Sequence, residues 1–204
     1  MTGKDGAVDW LKSRQASAEQ IERLEAYVAL LIAENQKQNL IARATETEVW
    51  TRHILDSAQL HYLAGAGEGA DIGSGAGLPG IVLACLGRPM CLIEPRRRRA
   101  DFLSHCLDQL SLPGSRVEGR RAEVVQGSFA ALFARAVAPP SPLIQSAFHL
   151  QVANSSWVLP RGTNAISDAE ELKKRFNGVF HVEQSVTEPE SSIIVARALT
   201  EKRQ

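Results

Sequence analysis

The segment Asp71-Ile72-Gly73-Ser74-Gly75-Ala76-Gly77-Leu78-Pro79-Gly80 is the most informative part of this chain of 204 residues. It begins within a short segment, residues 70–72, that predicts a strand. It leads into an apolar run, residues 78–86, that predicts a helix ending at Gly87. Glycine tolerates positive φ and lets a ligand approach the main chain. This strand–loop–helix unit therefore predicts a cofactor-binding turn.

A carboxylate follows the next predicted strand. Residues 90–93 form a short apolar run, and Glu94 lies at its end, about 20 residues beyond the loop. An acidic side chain at this place accepts both hydroxyls of a ribose in nucleoside-binding α/β folds. The loop and Glu94 together predict a nucleoside cofactor.

Two cofactor classes fit the loop. Gly75-x-Gly77-x-x-Gly80 matches the dinucleotide fingerprint, which is a weak signal by itself. Asp71 followed by Gly73, Gly75 and Gly77 is similar to the motif of S-adenosylmethionine-dependent methyltransferases. The methionine end of that cofactor carries an ammonium and a sulfonium, which favour a nearby carboxylate, whereas a pyrophosphate favours none. The loop therefore favours S-adenosyl-L-methionine, and an NAD(P)-binding oxidoreductase remains the alternative.

Composition limits the remaining classes. Formal net charge is zero, so affinity for nucleic acid has to come from local patches. The three cysteines form no Cys-x-x-Cys pair and indicate buried thiols in a reducing compartment, neither disulfides nor metal ligands. No apolar run approaches the ~20 residues of a membrane span, and no early stretch has the apolar centre of a signal peptide. We expect a cytoplasmic protein with no metal site and no membrane contact.

The order of predicted elements gives the architecture. Residues 1–64 predict a helical N-terminal extension, and residues 65–200 predict the cofactor-binding domain. Ser17-x-x-Gln20, Thr45-x-x-Glu48 and Ser167-x-x-Glu170 each predict the start of a helix. The last two of seven predicted strands have no room for a helix between them, which suits a mostly parallel, doubly wound α/β sheet with an antiparallel end hairpin. The seven strands are predicted over residues 70–72, 90–93, 116–118, 131–134, 157–159, 179–186 and 193–198.

A second informative region lies in the predicted extension. Arg52, His53, Asp56 and Ser57 make one short helical segment dense in polar groups, and positions 52 and 56 share a helix face. One interpretation is an ion pair within the helix, between Arg52 and Asp56, beside a histidine with satisfied hydrogen bonds. The other places this face beside the cofactor loop as a wall of the substrate pocket.

Three motifs together resemble a known family. Asn35-x-x-x-Asn39-Leu40, then Arg52-His53-Ile54-Leu55-Asp56-Ser57, then the glycine loop with its Leu-Pro-Gly ending occur in the order and spacing of the small-subunit rRNA guanine-N7 methyltransferases. This family is also called glucose-inhibited division protein B, or RsmG. The resemblance covers roughly residues 20 to 200. It implies a Rossmann-like class I methyltransferase that modifies guanine 527 in the 530 loop of 16S rRNA.

The resemblance also implies roles for single residues. Glu94 would bind the ribose hydroxyls, Ala122 and Glu123 would meet the adenine edge, and Arg135 would lie beside the methyl-transfer pocket. Arg121 and Arg135 are the candidate catalytic residues, and either could donate to guanine O6 or to phosphate. The predicted cofactor set is Asp71, Gly73, Gly75, Gly77, Leu78, Glu94, Ala122, Glu123 and Arg135.

Predicted RNA contacts lie at several places. Arg96-Arg97-Arg98-Arg99 concentrates positive charge suited to phosphates, although arginine is poorly placed at the positive start of a helix. Arg161 stands where the family usually has lysine, and Ala130 where it usually has aspartate. We expect a monomer that acts on 16S rRNA or on a precursor of the small ribosomal subunit. The predicted RNA-binding residues are Asn39, Arg52, His53, Asp56, Ser57, Arg97, Arg98 and Arg161.

The chemistry of the acceptor explains what the sequence lacks. Guanine N7 carries an in-plane lone pair and no hydrogen, so its methylation needs orientation and no general base. An oxidoreductase would need a hydride-transfer site, and no Tyr-x-x-x-Lys pair suggests one. A non-catalytic RNA-binding module is the third hypothesis, and the intact Asp71, glycines and Glu94 argue against it.

Overall fold

A single seven-stranded sheet organises the chain. The structure is a computed structural model that describes residues 3–135 and 139–202. The strands are β1 (Gly69–Ile72), β2 (Met90–Ile93), β3 (Arg116–Glu118), β4 (Phe129–Phe133), β5 (Gln151–Gly162), β6 (Phe176–Gln184) and β7 (Ser192–Glu201). Their order in the sheet is β3-β2-β1-β4-β5-β7-β6.

The strand pairing confirms the predicted sheet. Strands β1 to β5 pair in parallel, whereas β7 is antiparallel to both β5 and β6. The carboxyl ends of the parallel strands therefore share one edge, where ligands bind in open α/β sheets. Several strands are longer than their apolar sequence patterns, because β5 and the β6–β7 hairpin continue through exposed polar residues.

Helices cover both faces of the sheet. The α-helices are α1 (Gly3–Ser13), α2 (Ala18–Asn35), α3 (Asp56–Ala58), α4 (Gly80–Cys85), α5 (Arg97–Gln109), α6 (Pro140–Ala147) and α7 (Ala165–Arg175). A π-helix runs over Trp50–Leu55, and 3₁₀ turns cover Arg43–Glu48, Gln59–Tyr62, Ala122–Val124 and Phe148–Leu150. No helix in the ranges 3–135 and 139–202 is both long and apolar enough to cross a membrane.

The N-terminal helices share one core with the sheet. Leu24 and Leu31 of α2 belong to the same buried cluster as Ile81 of α4 and Leu103 of α5. The opposite face of the sheet carries a second cluster, which includes Trp157 and Phe176. The division into residues 1–64 and 65–200 stays a prediction, and this shared core ties the two parts together. Cys85, Cys91 and Cys106 are buried free thiols.

The three predicted helix starts have different outcomes. Ser17 accepts from the Gln20 amide and the Gln20 side chain accepts from the Ser17 amide, so this capping box is confirmed. The Thr45 prediction was wrong, because Thr45 lies inside the Arg43–Glu48 turn and its hydroxyl donates to the Ala42 carbonyl. The Ser167 prediction was also wrong, because α7 begins at Ala165 and the Ser167 hydroxyl donates to the Asn164 carbonyl.

Candidate active site

The glycine loop follows β1 and is anchored to the neighbouring strand. The amides of Gly73 and Ser74 both donate to the Ile93 carbonyl, at 2.9 and 3.1 Å. Gly73, Gly75 and Gly77 have φ angles of +73°, +56° and +90°. These left-handed conformations strain residues with a Cβ, which explains the glycines at these positions.

Glu94 is held below the loop by two main-chain amides. Its carboxylate is buried, with Oε2 accepting from Gly75 N and Oε1 accepting from Arg96 N, both at 2.9 Å. A carboxylate has about four lone-pair positions. Two of them remain after these bonds, so Glu94 is oriented and still able to accept from a ligand.

The loop, Glu94 and Arg135 surround a cavity of about 470 Å³, called here the cofactor cavity. Five of the predicted cofactor residues line it, so the structure brings that part of the set together. Its lining comprises Leu40, Ile41, Gly73, Ser74, Gly75, Ala76, Leu78, Glu94, Pro95, Arg96, Arg99 and Arg135.

Two predicted cofactor residues, Asp71 and Gly77, do not line this cavity. Asp71 is buried, and its Oδ2 accepts from Gly80 N at 2.9 Å. Its Oδ1 has no partner among the described residues, and burial raises the pKa of Asp71 to about 7. A Cβ on Gly77 would lie 2.5 Å from Ile81 Cγ1. Both residues therefore hold the loop against α4.

The segment after β3 lies apart from the cofactor cavity lining. Arg121 precedes the 3₁₀ turn Ala122–Val124 and is exposed. Glu123 is exposed too, whereas Ala122 packs into the second core cluster. The contact of Ala122 and Glu123 with adenine, and the catalytic role of Arg121, stay predictions.

Sequence reasoning missed the wall that faces the glycine loop. The buried Asn35 accepts hydrogen bonds on its Oδ1 from the amides of Leu40 and Ile41, at 2.6 and 2.9 Å. Its Nδ2 donates to Glu46 at 2.6 Å. Asn35 thereby fixes Leu40 and Ile41 at the cofactor cavity. Asn39, the residue predicted to bind RNA, is exposed and outside that cavity lining.

Arg135 is tied to the polar segment of the extension. Its Nη1 donates to Asp56 Oδ2 at 2.9 Å and to the Arg52 carbonyl at 3.3 Å. Its Nη2 lies 2.8 Å from His53 Nδ1. The predicted proximity of this segment to the cofactor loop is therefore observed. The predicted Arg52–Asp56 ion pair was wrong, because Asp56 pairs with Arg135 and Arg52 pairs with Glu188 at 2.9 Å.

The hydrogen bonds of His53 define its protonation. Arginine has only donors, so His53 Nδ1 has to accept from Arg135. The hydroxyl of Thr45 donates to the Ala42 carbonyl, which leaves its oxygen to accept from His53 Nε2 at 2.8 Å. Burial, then Arg135 and Arg52, lower the pKa of His53 to about 4. His53 is therefore a neutral imidazole with both nitrogens engaged.

Arg135 also lines a second polar cavity of about 430 Å³, called here the outer cavity. The predicted RNA-binding residues Arg52, His53, Asp56 and Arg161 line it, whereas Ser57 is buried and does not line it. Arg161 pairs with Asp168 at 2.7 Å. Sequence reasoning missed the residues that the β6–β7 hairpin and the Arg43–Glu48 turn supply. The remaining lining residues are Ala42, Thr45, Pro160, Gly162, Thr187, Glu188 and Ser191.

The four consecutive arginines point in different directions. Arg96 and Arg99 line the cofactor cavity. Arg97 is almost fully exposed, and Arg98 donates to the Lys37 carbonyl at 3.2 Å. Arg97 and Arg98, predicted to bind RNA, therefore lie on the surface next to the cofactor cavity.

Solved structures support the fold. The O-methyltransferase from Bacillus cereus in complex with SAH has a TM-score of 0.60 at 14% identity, covering 86% of this chain and 90% of that one. The magnesium protoporphyrin IX methyltransferase from Synechocystis with bound SAM has a TM-score of 0.60 at 12% identity, covering 84% of this chain and 96% of the other. These likenesses confirm the class I methyltransferase fold.

Sequence relatives identify the family. The ribosomal RNA small subunit methyltransferase G of Novosphingobium aromaticivorans is 42% identical over 90% of this chain and 83% of its own length. The protein of the same name from Sphingopyxis alaskensis is 45% identical over 91% of this chain and 82% of its own length. A profile of the GidB family, described as rRNA small subunit methyltransferase G, matches residues 20–192. The chain therefore belongs to the rRNA small subunit methyltransferase G family.

Proposed function

We propose that this chain transfers a methyl group from S-adenosyl-L-methionine to N7 of a guanine in small-subunit rRNA. One observation carries the proposal: the cofactor cavity and the outer cavity share Arg135. A methyl donor in the first cavity and a base in the second would meet at this side chain. From the family resemblance we propose guanine 527 of 16S rRNA as the target.

The residues of the cofactor cavity fit S-adenosyl-L-methionine, which supplies an electrophilic methyl group when bound. The free lone pairs of Glu94 suit the two ribose hydroxyls, because amides already orient that carboxylate. Leu40, Ile41 and Leu78 offer apolar surface. Gly73 and Gly75 let the ligand touch the main chain.

The outer cavity suits a reaction that requires no base. Guanine N7 has an available lone pair, so the protein has to hold the ring and exclude water. Three described hydrogen bonds use part of the Arg135 guanidinium, which has five N–H donors. The remaining donors can bind guanine O6, which lies beside N7. In this role Arg135 orients the base and transfers no proton.

Basic residues around both cavities give the RNA a path. Arg52 and Arg161 line the outer cavity, and Arg97 and Arg98 lie on the adjoining surface. Phosphate contacts of this kind position the RNA without reading its sequence. We propose that these four arginines hold 16S rRNA or a small-subunit precursor, and that the protein acts as a cytoplasmic monomer.

The direct test is methylation of small ribosomal subunits that lack the modification. With labelled S-adenosyl-L-methionine, nucleoside mass spectrometry should find 7-methylguanosine, and mapping should place it at guanine 527. Arg135→Ala should lose most of the transfer rate even at saturating cofactor. Methylation of another guanine atom, or of another class of RNA, would overturn the proposal.

A further inference from the structure

The outer cavity contains two carboxylates with different environments. Asp56 accepts from Gln59 and Thr187 on Oδ1 and from Arg135 on Oδ2. Glu188 forms an ion pair with Arg52 through Oε1, at 2.9 Å, and its side chain is half exposed. Among the described residues its Oε2 has no hydrogen-bond partner. Glu188 is therefore the carboxylate that is able to accept from a ligand.

The segment that carries Glu188 is fixed against the extension. Gln59 accepts from the Val186 amide at 2.9 Å and donates to the Ser185 hydroxyl at 3.1 Å. The Thr187 hydroxyl donates to Asp56 at 3.1 Å, and the Ser191 amide donates to the Glu188 carbonyl at 3.0 Å. Contacts on both sides of Glu188 thus hold its main chain at the outer cavity.

Arg52 contacts both Arg135 and Glu188, and it therefore shows how far Glu188 lies from the proposed position of methyl transfer. The Arg52 carbonyl accepts from Arg135, whereas the Arg52 guanidinium binds Glu188. The Glu188 carboxylate is therefore separated from Arg135 by about the length of one arginine side chain. In a guanine, N7 and O6 lie on one side of the ring system, and the N1–H and N2–H donors lie on the Watson–Crick side. If guanine N7 lies at Arg135, the N1–H and N2–H groups of the base point away from the cofactor cavity.

From this arrangement, and on the basis of the proposed function, we propose that Glu188 determines specificity for guanine. Its Oε2 accepts from N1–H and N2–H of the target base, while Oε1 keeps the ion pair with Arg52. Adenine presents an acceptor at N1, which a carboxylate repels. Buried donors without a partner are costly, so a guanine in this cavity needs such an acceptor.

Inosine is the probe for this contact, because it keeps O6, N1–H and N7 and lacks the 2-amino group. Small subunits are reconstituted with 16S rRNA carrying guanosine or inosine at the methylated nucleotide, and kcat/KM is measured for both. Wild type should prefer guanosine by about tenfold or more, as expected for one hydrogen bond to a charged acceptor. In Glu188→Ala the guanosine rate should fall and the preference should approach one. The matched control is Glu190→Gln, at an exposed neighbouring position, which should keep the wild-type preference.

The outcomes separate this inference from the proposed function. If wild type forms no 7-methylguanosine on guanosine subunits, the proposed function is wrong. If wild type is active and Glu188→Ala keeps the full preference for guanosine, the role of Glu188 is wrong. A higher rate of Glu188→Ala on both substrates would also overturn it, because Glu188 would then only shield Arg52 from RNA. If both variants unfold thermally at the same midpoint as wild type, loss of fold is excluded as the cause.

Discussion

At the residue scale, the site depends on Glu94 and the glycines that lie over it. The Gly75 and Arg96 amides hold the carboxylate in one orientation before any ligand binds. A ligand then meets an acceptor whose side-chain entropy is already lost, which favours binding. The same amides would lose their acceptor if the carboxylate were removed.

Substitutions at the cofactor cavity should lower cofactor affinity in a graded way. Gly73→Val adds a branched side chain at φ +73° and should abolish binding. Glu94→Ala removes acceptors for the ribose, each bond being worth about 1.5–3 kcal/mol, so the dissociation constant should rise about tenfold or more. Calorimetry with S-adenosyl-L-methionine measures both effects, with the exposed Asp101→Asn as control. Unchanged affinity in both site variants would contradict the cofactor assignment.

Buried titratable groups should give stability an unusual dependence on pH. The pKa of Asp71 is raised to about 7 by burial, so its contribution to folding is greatest at low pH and is lost as pH rises through about 7. Burial lowers the pKa of His53 and His61 to about 4, so their contributions are lost as pH falls from about 6.5 towards 4. Raising the pH therefore lowers stability through Asp71 and raises stability through the two histidines.

Asp71→Asn isolates the first of these effects. Asparagine can still accept from Gly80 N and carries no charge to bury. Relative to wild type, this variant should gain free energy of unfolding between about pH 5 and pH 8. Urea unfolding at both pH values measures the difference. An equal difference at both would mean that Asp71 ionises normally in the fold.

At the element scale, the segment between α2 and the Arg43–Glu48 turn forms a wall of the cofactor cavity. It has no regular structure over residues 37–42, and Asn35 supplies the acceptor for two of its amides. The position of Leu40 and Ile41 therefore depends on one buried amide side chain.

Asn35→Ala should loosen this wall. The amides of Leu40 and Ile41 and the Glu46 carboxylate lose their partner, so the free energy of unfolding should fall by about 2–4 kcal/mol, and cofactor affinity should fall with it. Asn39→Ala is the control, because Asn39 is exposed, and both properties should stay at wild-type values. If Asn35→Ala bound the cofactor normally, the segment would have no part in the site.

The same elements separate what the sequence predicts from what it does not. The glycine loop, Glu94 and the seven strands follow from local patterns, because apolar runs and turn residues act over short distances. The partners of Asp56 do not follow, since Arg135 and Thr187 are distant in sequence. The segment Trp50–Leu55 is a π-helix, in which different side chains share a face. The sequence prediction assumed a regular α-helix and therefore gave Arg52 the wrong partner.

At the scale of the whole molecule, the net charge is zero, so the electrostatic attraction of RNA has to come from local basic patches. Arg97 and Arg98 adjoin the cofactor cavity and do not line it, so their charge can serve RNA alone. Replacing both with alanine should weaken RNA binding, reduce the slope of log affinity against log salt by about one to two, and leave cofactor affinity unchanged. Filter binding across a salt series tests this, and an identical slope would assign the pair to solvated surface.

Where the two cavities meet, Arg135 lies 2.8 Å from a neutral His53 whose two ring nitrogens are both hydrogen-bonded. We propose that transfer to N7 requires a correctly positioned base and no removal of a proton. The test is single-turnover methyl transfer at saturating cofactor and rRNA, followed from about pH 6 to 9. His53 should impose no acidic limb on the rate in this range, because the pKa of His53 lies at about 4. A steep rise near neutrality that disappears in His53→Gln would contradict it.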